Sequence, residues 1–418
     1  MIKHVVRQIA LAAVSSAASL SAQQAPPVRP LGPVMKVSVA GLLGSVSAVR
    51  ALPNGNLLVN DVTWRQLLYL DSAFHVRMVI ADTTGEPGGY NSRFSSLIAH
   101  RGDSSLFIDP RALTMAVIDQ SGRIVRVMAI PRPGDADLLI SGPFGVPGVD
   151  DHGRIVYRGG APVGPGRTTP DQTGGGRYAF AFPDEVPIVR VHLASRVVDT
   201  LTWLHVPLVR TVITERDGRF QLQTMINPMA VVDVWALMPD GRVAVVRGRD
   251  YHIDWCGETG PCSATEKIPY HWERLDDEAK QRVVDSANVE MEKERARLAA
   301  PGQVSAAAAS SAAARGRGSS TNAVQGQNYR FVPARELPDY RPAFNQGAAR
   351  ADVEGNLWIR TTAPSDKGPI YDVINSKGEL IDRVQLPYGR VISGFGKGVV
   401  YMGVLDDKGA RLEMASVR

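Results

Sequence analysis

The stretch Val234-Trp-Ala-Leu-Met-Pro-Asp-Gly-Arg-Val-Ala-Val-Val-Arg-Gly-Arg-Asp-Tyr-His-Ile-Asp-Trp255 decides the fold. An alternating apolar run ends at the turn Pro239-Asp240-Gly241, and a second apolar run follows from Val243 to Val246. Proline presets φ at the first corner and glycine supplies the positive φ of the reversal, so the stretch predicts a β-hairpin. The fold then depends on whether this hairpin is single or repeated.

The same signature of an apolar strand, a Gly/Asp/Asn turn and a second apolar strand recurs six times. The copies are Val49 to Val59, Leu97 to Ile108, Val146 to Tyr157, Val234 to Val246, Ala349 to Ile359 and Ile392 to Tyr401. All but the fourth are followed by a second hairpin, which makes a four-stranded unit. The turns are about 49, 49, 88, 114 and 43 residues apart, and three of these gaps match one propeller blade.

We therefore predict an all-β fold, a six-bladed β-propeller over residues 34–418 with a helical, partly disordered insertion. A spare strand, Val34 to Val39, is placed to complete the C-terminal blade and remove its edge. The first long gap holds a Gly/Pro-rich stretch between Gly159 and Asp184, which predicts a polar loop. It also holds a further hairpin from Thr211 to Ile226.

The second long gap holds the larger insertion, residues 256–337. It begins with a cysteine loop and continues with a helix predicted over about 276–299, where Asp276 is placed to cap the first turn. Residues from about 300 to 327 are almost all Ala, Ser, Gly and Arg, so they predict a disordered linker that has nothing to bury.

Residues 1–22 have the layout of a signal peptide, with Lys3 and Arg7 before a short apolar region and small residues at Ser19 to Ala22. The chain is therefore expected to be exported to a periplasmic or extracellular location. No segment is long and apolar enough to predict a membrane span. Without Lys3 and Arg7 the formal charge falls from +5 to +3, which predicts no nucleic-acid partner.

Two cysteines, Cys256 and Cys262, flank a loop that contains Gly and Pro. In an oxidising compartment they are expected to pair, which stabilises the fold by roughly 2 kcal/mol through loop entropy. A structural zinc site would need four Cys or His ligands at close spacing, and the sequence does not supply them.

The segment Asn54-Gly-Asn-Leu-Leu-Val-Asn-Asp61-Val-Thr-Trp-Arg65-Gln-Leu-Leu-Tyr-Leu-Asp71 resembles an NHL repeat. That repeat has Asp-Gly, an apolar strand, Asp, a short turn with Asn-Arg, and a second apolar strand that ends in Asp. Trp64 stands where the pattern has Asn, and later copies keep only the Asp, as Asp109, or lose it. The chain is thus similar to NHL/TolB-like propellers, a resemblance that implies a fold rather than a chemistry.

One group of candidate ligand-binding residues follows the second strand of its blade: Asp61, Trp64, Arg65, Asp109 and Arg111. Loops on a rigid scaffold commonly carry recognition, so these residues are expected near a mouth of the propeller. Each aspartate is equally suited to accept hydrogen bonds from nearby backbone N–H groups and stiffen its turn. The sequence leaves both interpretations open.

A second candidate group is Arg249, Asp250, His252 and Asp254. Strand periodicity places the last three on one face, where two carboxylates beside a histidine could bind a hard cation or act as acid and base. In the competing interpretation the acids form ion pairs with Arg247 on a solvated face. No cofactor is predicted, and the one alternative is a divalent cation held by Asp250, His252, Asp254 and His271.

No motif of an established catalytic type accompanies these residues. We therefore expect a monomeric binding or scaffold module for a protein, peptide or carbohydrate ligand. The alternative is a metal-dependent hydrolase of the lactonase kind, because gluconolactonase-like propellers hold a divalent cation on the propeller axis.

Overall fold

The computed structural model describes residues 25–85, 89–140, 145–160, 167–170, 178–181, 184–207, 209–216, 219–299 and 328–418. The predicted signal peptide and the predicted linker lie outside these residues. The described chain forms seven β-sheets and one long α-helix.

Six of the sheets are the blades of a β-propeller, as predicted, and in each blade consecutive strands are antiparallel neighbours. Blade 1 is β3 (Ala48–Ala51), β4 (Leu57–Asp61), β5 (Gln66–Leu70) and β6 (Val76–Ala81). Blade 2 is β7 (Ser96–Ala99), β8 (Ser105–Asp109), β9 (Thr114–Ile118) and β10 (Ile124–Ala129). Blade 3 is β11 (Gly148–Val149), β12 (Arg154–Arg158), β15 (Glu185–His192) and β16 (Val198–His205).

Blade 4 is β19 (Val234–Leu237), β20 (Val243–Arg247), β21 (His252–Cys256) and β22 (Ser263–Ala264). Blade 5 is β24 (Phe344–Ala351), β25 (Leu357–Thr361), β26 (Ile370–Ile374) and β27 (Leu380–Gln385). Blade 6 is β28 (Arg390–Gly396), β29 (Val399–Asp406), β30 (Gly409–Ser416) and the N-terminal β2 (Val34–Val37).

Two N-terminal strands cover sheet edges near the point where the ring closes. Strand β2 pairs antiparallel with β30, which confirms the predicted spare strand, and the Leu412 N–H donates to Ser38 Oγ at 2.9 Å. Strand β1 (Val28–Pro30), which the sequence did not predict, adds in parallel to the outer edge of β27. Blades 5 and 6 therefore have their outer edges covered by the start of the described chain.

The hairpins share one turn chemistry. In seven of them the first turn residue donates its N–H to the carbonyl four residues later, with N···O distances of 2.8–3.0 Å, and accepts from the N–H three residues later. Gly241, the glycine of the opening stretch, has φ of 81° at the position where this turn requires left-handed backbone. The seven turns begin at Leu52, Asp71, Asp119, Asp150, Met238, Asp352 and Asn375.

Each interface between blades is filled by apolar side chains that come from both neighbours. Because both faces of a blade are packed, its central strands are buried along their length, and Leu57–Asp61 is an example. Representative pairs are Leu58 with Phe107, Ile108 with Ile155, Ile188 with Trp235, Trp358 with Phe395, and Val59 with Leu412.

The seventh sheet, which we call the accessory sheet, is assembled from three separate connections. Its strands in spatial order are β13 (Arg167–Pro170), β14 (Tyr178–Ala181), β17 (Arg210–Arg216), β18 (Arg219–Ile226) and β23 (Asn328–Phe331). The hairpin predicted from Thr211 to Ile226 is present as β17 and β18. The stretch predicted as a polar loop between Gly159 and Asp184 instead contributes β13 and β14, which hydrogen-bond onto β17.

The long helix α1 (Asp277–Ala299) follows blade 4, and the Asp276 carboxylate accepts from the Ala279 N–H at 2.7 Å at its start. Val284 packs in an apolar cluster with Leu275, Val332 and Leu337, so the helix lies against the accessory sheet and its flanks. Residues 288–290, 292, 293, 295 and 296 of the helix are exposed. No helix in the described residues is long and apolar enough to span a bilayer.

Blade 4 differs from the sequence interpretation, in which the fourth copy led directly from Trp255 into the insertion. Ser263 and Ala264 pair with Trp255 and Asp254, so a short fourth strand completes the blade. The predicted disulfide is present between Cys256 and Cys262, with a Cα–Cα distance of 4.2 Å, and it closes the turn of this second hairpin.

Candidate functional site

The strand order divides the loops of the propeller between two faces. On one face lie the turns from first to second and from third to fourth strands, and we call it the hairpin face. On the other lie the turns from second to third strands and all the connections between blades, and we call it the connection face. The three segments that form the accessory sheet all leave the propeller from the connection face, beside blades 3, 4 and 5.

Asp61 ends the second strand of blade 1 on the connection face and is completely buried. One carboxylate oxygen accepts from the Thr63 and Trp64 N–H groups at 3.0 and 3.1 Å, and the other from the Gly44 N–H at 2.7 Å. The Ser45 hydroxyl and the Gln66 amide complete the set at 3.0 and 3.2 Å. Asp61 therefore holds the turn and the preceding interblade connection together, and its oxygens face inward.

Asp109 repeats the arrangement in blade 2. It accepts from the Arg111 and Ala112 N–H groups at 3.0 and 3.2 Å and from the Asn91 N–H, in the preceding connection, at 2.6 Å. Of the two interpretations that the sequence left open for these aspartates, the geometry matches the turn-stiffening one. The side chains presented outward are those of the turns that the aspartates hold.

Trp64 is the large aromatic residue of the blade 1 turn, and its side chain is 51% exposed. Its indole lies directly on the backbone of Gly44, where an added Cβ would come within 2.7 Å of the ring. The pyrrole part of the indole is thus held against the protein, and the residue remains open to solvent. This is a preorganised platform for an apolar ligand surface.

Arg65, Arg111 and Arg249 occupy the corresponding turns of blades 1, 2 and 4. In the described part of the chain, none of their guanidinium groups has a hydrogen-bonding or ion-pair partner. Arg111 and Arg249 are exposed, and Arg65 is partly buried with φ of 55°. The connection face therefore presents three guanidinium groups that no carboxylate of the described residues neutralises.

The polar cluster of blade 4 is a row of alternating charges. His252 lies between Asp250 and Asp254, with Nδ1 2.6 Å from Asp250 and Nε2 3.2 Å from Asp254. Arg247 then bridges Asp254 and Asp233, at 2.7 Å from each. Each ring nitrogen of the histidine faces a carboxylate oxygen, so neither nitrogen is directed at an open metal position. The predicted cluster is thus assembled, as an ion-pair network.

Asp250 is the outer acid of this row, and Lys267 lies 3.5 Å from it. Burial alone would raise the pKa of Asp250, but the hydrogen bond from His252 and the charges of His252 and Lys267 outweigh burial and hold the pKa below its usual value. Asp250 is therefore ionised at neutral pH. It is neutralised by its neighbours, which makes it a poor base.

Tyr251 turns inward from the same loop and is fully buried against blade 5. Its hydroxyl donates to Asp372 at 2.8 Å, and the other oxygen of Asp372 accepts from Arg383 at 3.1 Å. Burial raises the pKa of Asp372 despite both hydrogen bonds. Sequence reasoning did not select Asp372, because its interaction with Tyr251 joins residues 121 apart in the chain.

The metal hypothesis is not matched by the residues named for it. His271 is exposed and does not join His252 in a cluster of ligands. Within the described residues, the one group of three possible ligand atoms within 4.8 Å is Asp150, Asp151 and His152, on the hairpin face of blade 3. Sequence reasoning did not select this group.

Asp150 is already neutralised in that group. It is 4% exposed and lies 2.8 Å from Arg154 and 3.3 Å from Arg190, so a cation there would sit beside two guanidinium groups. Glu258, in the disulfide loop, accepts a further contact from Arg154 at 3.0 Å. These residues fit an ion-pair network between blades 3 and 4 better than a divalent metal site.

No family model matches the chain, and no curated protein does. Among solved structures it is similar to virginiamycin B lyase from Staphylococcus aureus, with 10% identity over 91% of this chain and 98% of that one and a TM-score of 0.39. It is also similar to a gluconolactonase from Xanthomonas campestris, with 10% identity, 94% and 99% coverage and a TM-score of 0.34.

The calcium-binding protein regucalcin from Agrobacterium tumefaciens is a third similar structure, with 12% identity, 94% and 98% coverage and a TM-score of 0.34. At these identities the similarity concerns the fold and is not evidence for a ligand or a reaction. The strand pairing of its own six blades makes this chain a six-bladed β-propeller.

Proposed function

We propose that this protein is an exported, monomeric binding module whose connection face receives an anionic carbohydrate. The observation that carries the proposal is the set of unneutralised guanidinium groups of Arg65, Arg111 and Arg249 on the face that also presents Trp64. Export is proposed because residues 1–22 have the layout of a signal peptide. The proposal also includes the NHL-repeat character of the segment from Asp61 to Arg65.

The chemistry of the turns favours a sugar acid over a neutral sugar. A guanidinium group binds a carboxylate through paired, charge-assisted hydrogen bonds, and an indole packs against the C–H face of a pyranose ring. Arg65 follows Trp64 in the same turn, so both contacts are available to a single residue of an oligosaccharide. Arg111, in the neighbouring blade, is placed to bind a second acidic unit.

The arginines are rigidly supported, which lowers the entropy lost on binding. Asp61 and Asp109 fix the two turns through backbone hydrogen bonds, and the accessory sheet stands on the same face beside blades 3 to 5. An extended chain of sugar units would thus lie on blades 1 and 2 and end against the accessory sheet.

The test is calorimetric titration with a galacturonic acid oligomer and with a neutral glucose oligomer of equal length. We expect binding of the acidic oligomer alone, with an affinity that falls as salt rises. Arg65→Ala and Arg111→Ala should each weaken binding about tenfold, as expected for loss of one charged hydrogen-bonding group.

Arg123→Ala is the matched control, since this arginine is exposed on the hairpin face of blade 2. It should leave the affinity unchanged. Equal binding of both oligomers, or equal effects of Arg111→Ala and Arg123→Ala, would refute the assignment of the connection face.

A metal-dependent hydrolase is the second candidate, and the group formed by Asp150, Asp151 and His152 is the observation in its favour. Metal analysis of the purified protein and of Asp151→Asn separates the two functions. One equivalent of a divalent metal that is lost in Asp151→Asn, together with lactone hydrolysis, would replace the binding proposal.

A further inference from the structure

The outer edge of blade 2 carries features that neither the core nor the connection face explains. Strand β10 is the last strand of its sheet, and no other strand in the described residues pairs with its outer side. Two of its valines are solvent-exposed, Val125 at 59% and Val127 at 40%. An unpaired strand edge with exposed apolar residues is a template for pairing with another chain.

A groove of about 210 Å³ lies beside this edge, between blade 2 and the third-to-fourth strand turn of blade 3. Its apolar lining comes from Met115, Val127, Met128, Ala129 and Leu193. Met115 and Met128 are directly paired across β9 and β10, so they lie side by side on the surface that faces blade 3. The groove has room for one medium-sized apolar side chain.

Two arginines, Arg126 and Arg196, line the same groove. Both are exposed, and in the part of the chain that the structure describes neither side chain has an ion-pair partner. Arg126 stands two residues before Met128 and therefore shares its face of the strand. The edge thus offers an apolar position and a cationic position that are two residues apart on one face of the strand.

The chain itself uses strand addition at two other outer edges. Strand β1 adds to blade 5, and β2 completes blade 6. The outer strand of blade 4 has only two residues, which leaves little edge to extend. Blades 1, 2 and 3 have longer open edges, in the six-residue β6 and β10 and the eight-residue β16, and the edge of blade 2 has the groove beside it.

We propose that blade 2 binds an extended peptide of another protein by β-strand addition to β10. The peptide carries an acidic residue two positions from an apolar one, so that alternate side chains reach the arginines and the methionine groove. The two longest segments outside the described residues, 1–24 and 300–327, contain no Asp or Glu and so lack the required charge. This site is separate from the connection face of the proposed function.

The probe is a fluorescein-labelled eight-residue peptide of alternating threonines with a central Asp-Thr-Leu. Its controls are the same peptide with Lys in place of Asp, and the same peptide N-methylated on one edge. Fluorescence anisotropy should show binding of the first peptide and at least tenfold weaker binding of both controls. N-methylation removes only main-chain hydrogen bonds, so it distinguishes strand addition from side-chain contact.

On the protein, Arg126→Glu should weaken binding of the Asp peptide at least tenfold and strengthen binding of the Lys peptide. Arg123→Glu, on the adjacent turn, is the matched control and should leave the ratio of the two affinities unchanged. Arg126 is exposed, and an unchanged thermal midpoint verifies that the variant is folded.

Three results would overturn the proposal: no binding of the Asp peptide at millimolar concentration, equal binding of the N-methylated peptide, or indifference to Arg126→Glu. Binding of the galacturonic acid oligomer should be the same in Arg126→Glu and wild type. The two proposals can therefore fail independently.

Discussion

The two faces of the propeller place different residues in the same backbone conformation. Of the seven hairpin turns described above, six have glycine at the position of positive φ, and Phe74 is the exception; Arg196, in the β15–β16 turn of the same face, is a further non-glycine residue at positive φ. On the connection face, three equivalent turns have Arg65, Leu113 and Tyr251 at positive φ, between 52° and 56°. A side chain in this region costs about 1–2 kcal/mol relative to ordinary backbone.

This difference separates turns that only reverse the chain from turns that present a side chain. Tyr251 shows the second kind directly, because its hydroxyl bonds to Asp372 in the next blade. Strained non-glycine residues of this kind collect where the surrounding structure holds them for a purpose. The proposed function places its ligand on the connection face, and four measurements can break or sharpen the contrast between the two faces.

The largest loss of stability is expected when a buried aspartate that holds a connection-face turn is replaced. Asp61→Ala leaves the Gly44, Thr63 and Trp64 N–H groups without their acceptor and should lower the unfolding free energy by about 3 kcal/mol. Asp119→Ala, in an exposed turn on the hairpin face, should lower it by about 1 kcal/mol or less, since water replaces the lost acceptor. Urea unfolding measures both, and equal losses would contradict the contrast.

The next largest loss of stability is expected from a change on the hairpin face, where the disulfide lies. Replacing Cys256 and Cys262 together with Ala should lower the unfolding free energy by about 2 kcal/mol, because the loop that the disulfide closes is short. Wild-type protein under reducing conditions is the matching measurement and should lose the same amount. Affinity for the galacturonic acid oligomer should not change, and a change would assign the ligand to the hairpin face.

Arg65→Gly tests the strained turns directly. Glycine adopts the positive φ of this position without strain, so the variant should be as stable as wild type or more stable by about 1 kcal/mol. Ligand affinity should fall about tenfold, as for Arg65→Ala. Leu113→Gly is the control, with the same backbone change and no loss of affinity. A clear loss of stability in Arg65→Gly would show that its side chain supports the fold instead.

The smallest effect is a pH dependence at Asp372, whose pKa burial raises above the usual 3.8. The folded protein therefore holds this proton more tightly than the unfolded chain does. The resulting stabilisation is complete below the unfolded pKa and is lost as pH rises through the folded pKa. Wild type should lose stability relative to Asp372→Asn as pH rises above the unfolded value of 3.8, and a difference that is constant or grows in favour of wild type would contradict this.

The sequence predicts the propeller well because hairpin turns are local. Each of the turns that begin at Leu52, Asp150 and Met238 is formed by five consecutive residues. Asp or Gly at a fixed position in the turn is enough to predict it. The fourth strand of blade 4 escaped prediction because Ser263 and Ala264 are two small residues with no alternation. Strand β13 was not predicted because its neighbourhood is rich in Gly and Pro, and such a sequence forms a strand only where a partner strand is already in place.

The site is less predictable, since its contacts join distant parts of the chain. Asp61 accepts hydrogen bonds from Gly44 and Ser45, and Asp233 accepts one from the His205 N–H at 2.9 Å. The bonded residues are 16–28 positions apart, so no local pattern predicts these contacts. Strand β23 pairs with β18 although about a hundred residues separate them. The sequence does identify the turn residues as candidates: Trp64, Arg65, Arg111 and Arg249.

The covered edge of blade 6 sets the order in which the molecule can assemble. Strand β2 lies before blade 1 in the chain and β30 lies after blade 5, and the Leu412 to Ser38 hydrogen bond spans 374 residues. Contacts between such distant residues form slowly, because a long loop must be closed before they contribute. We expect ring closure to be the slow step of folding, with blades 1 to 5 ordered before it. Until then the edges through which β2 and β30 pair are also open, so the exposure of the chain to aggregation is greatest before the ring closes.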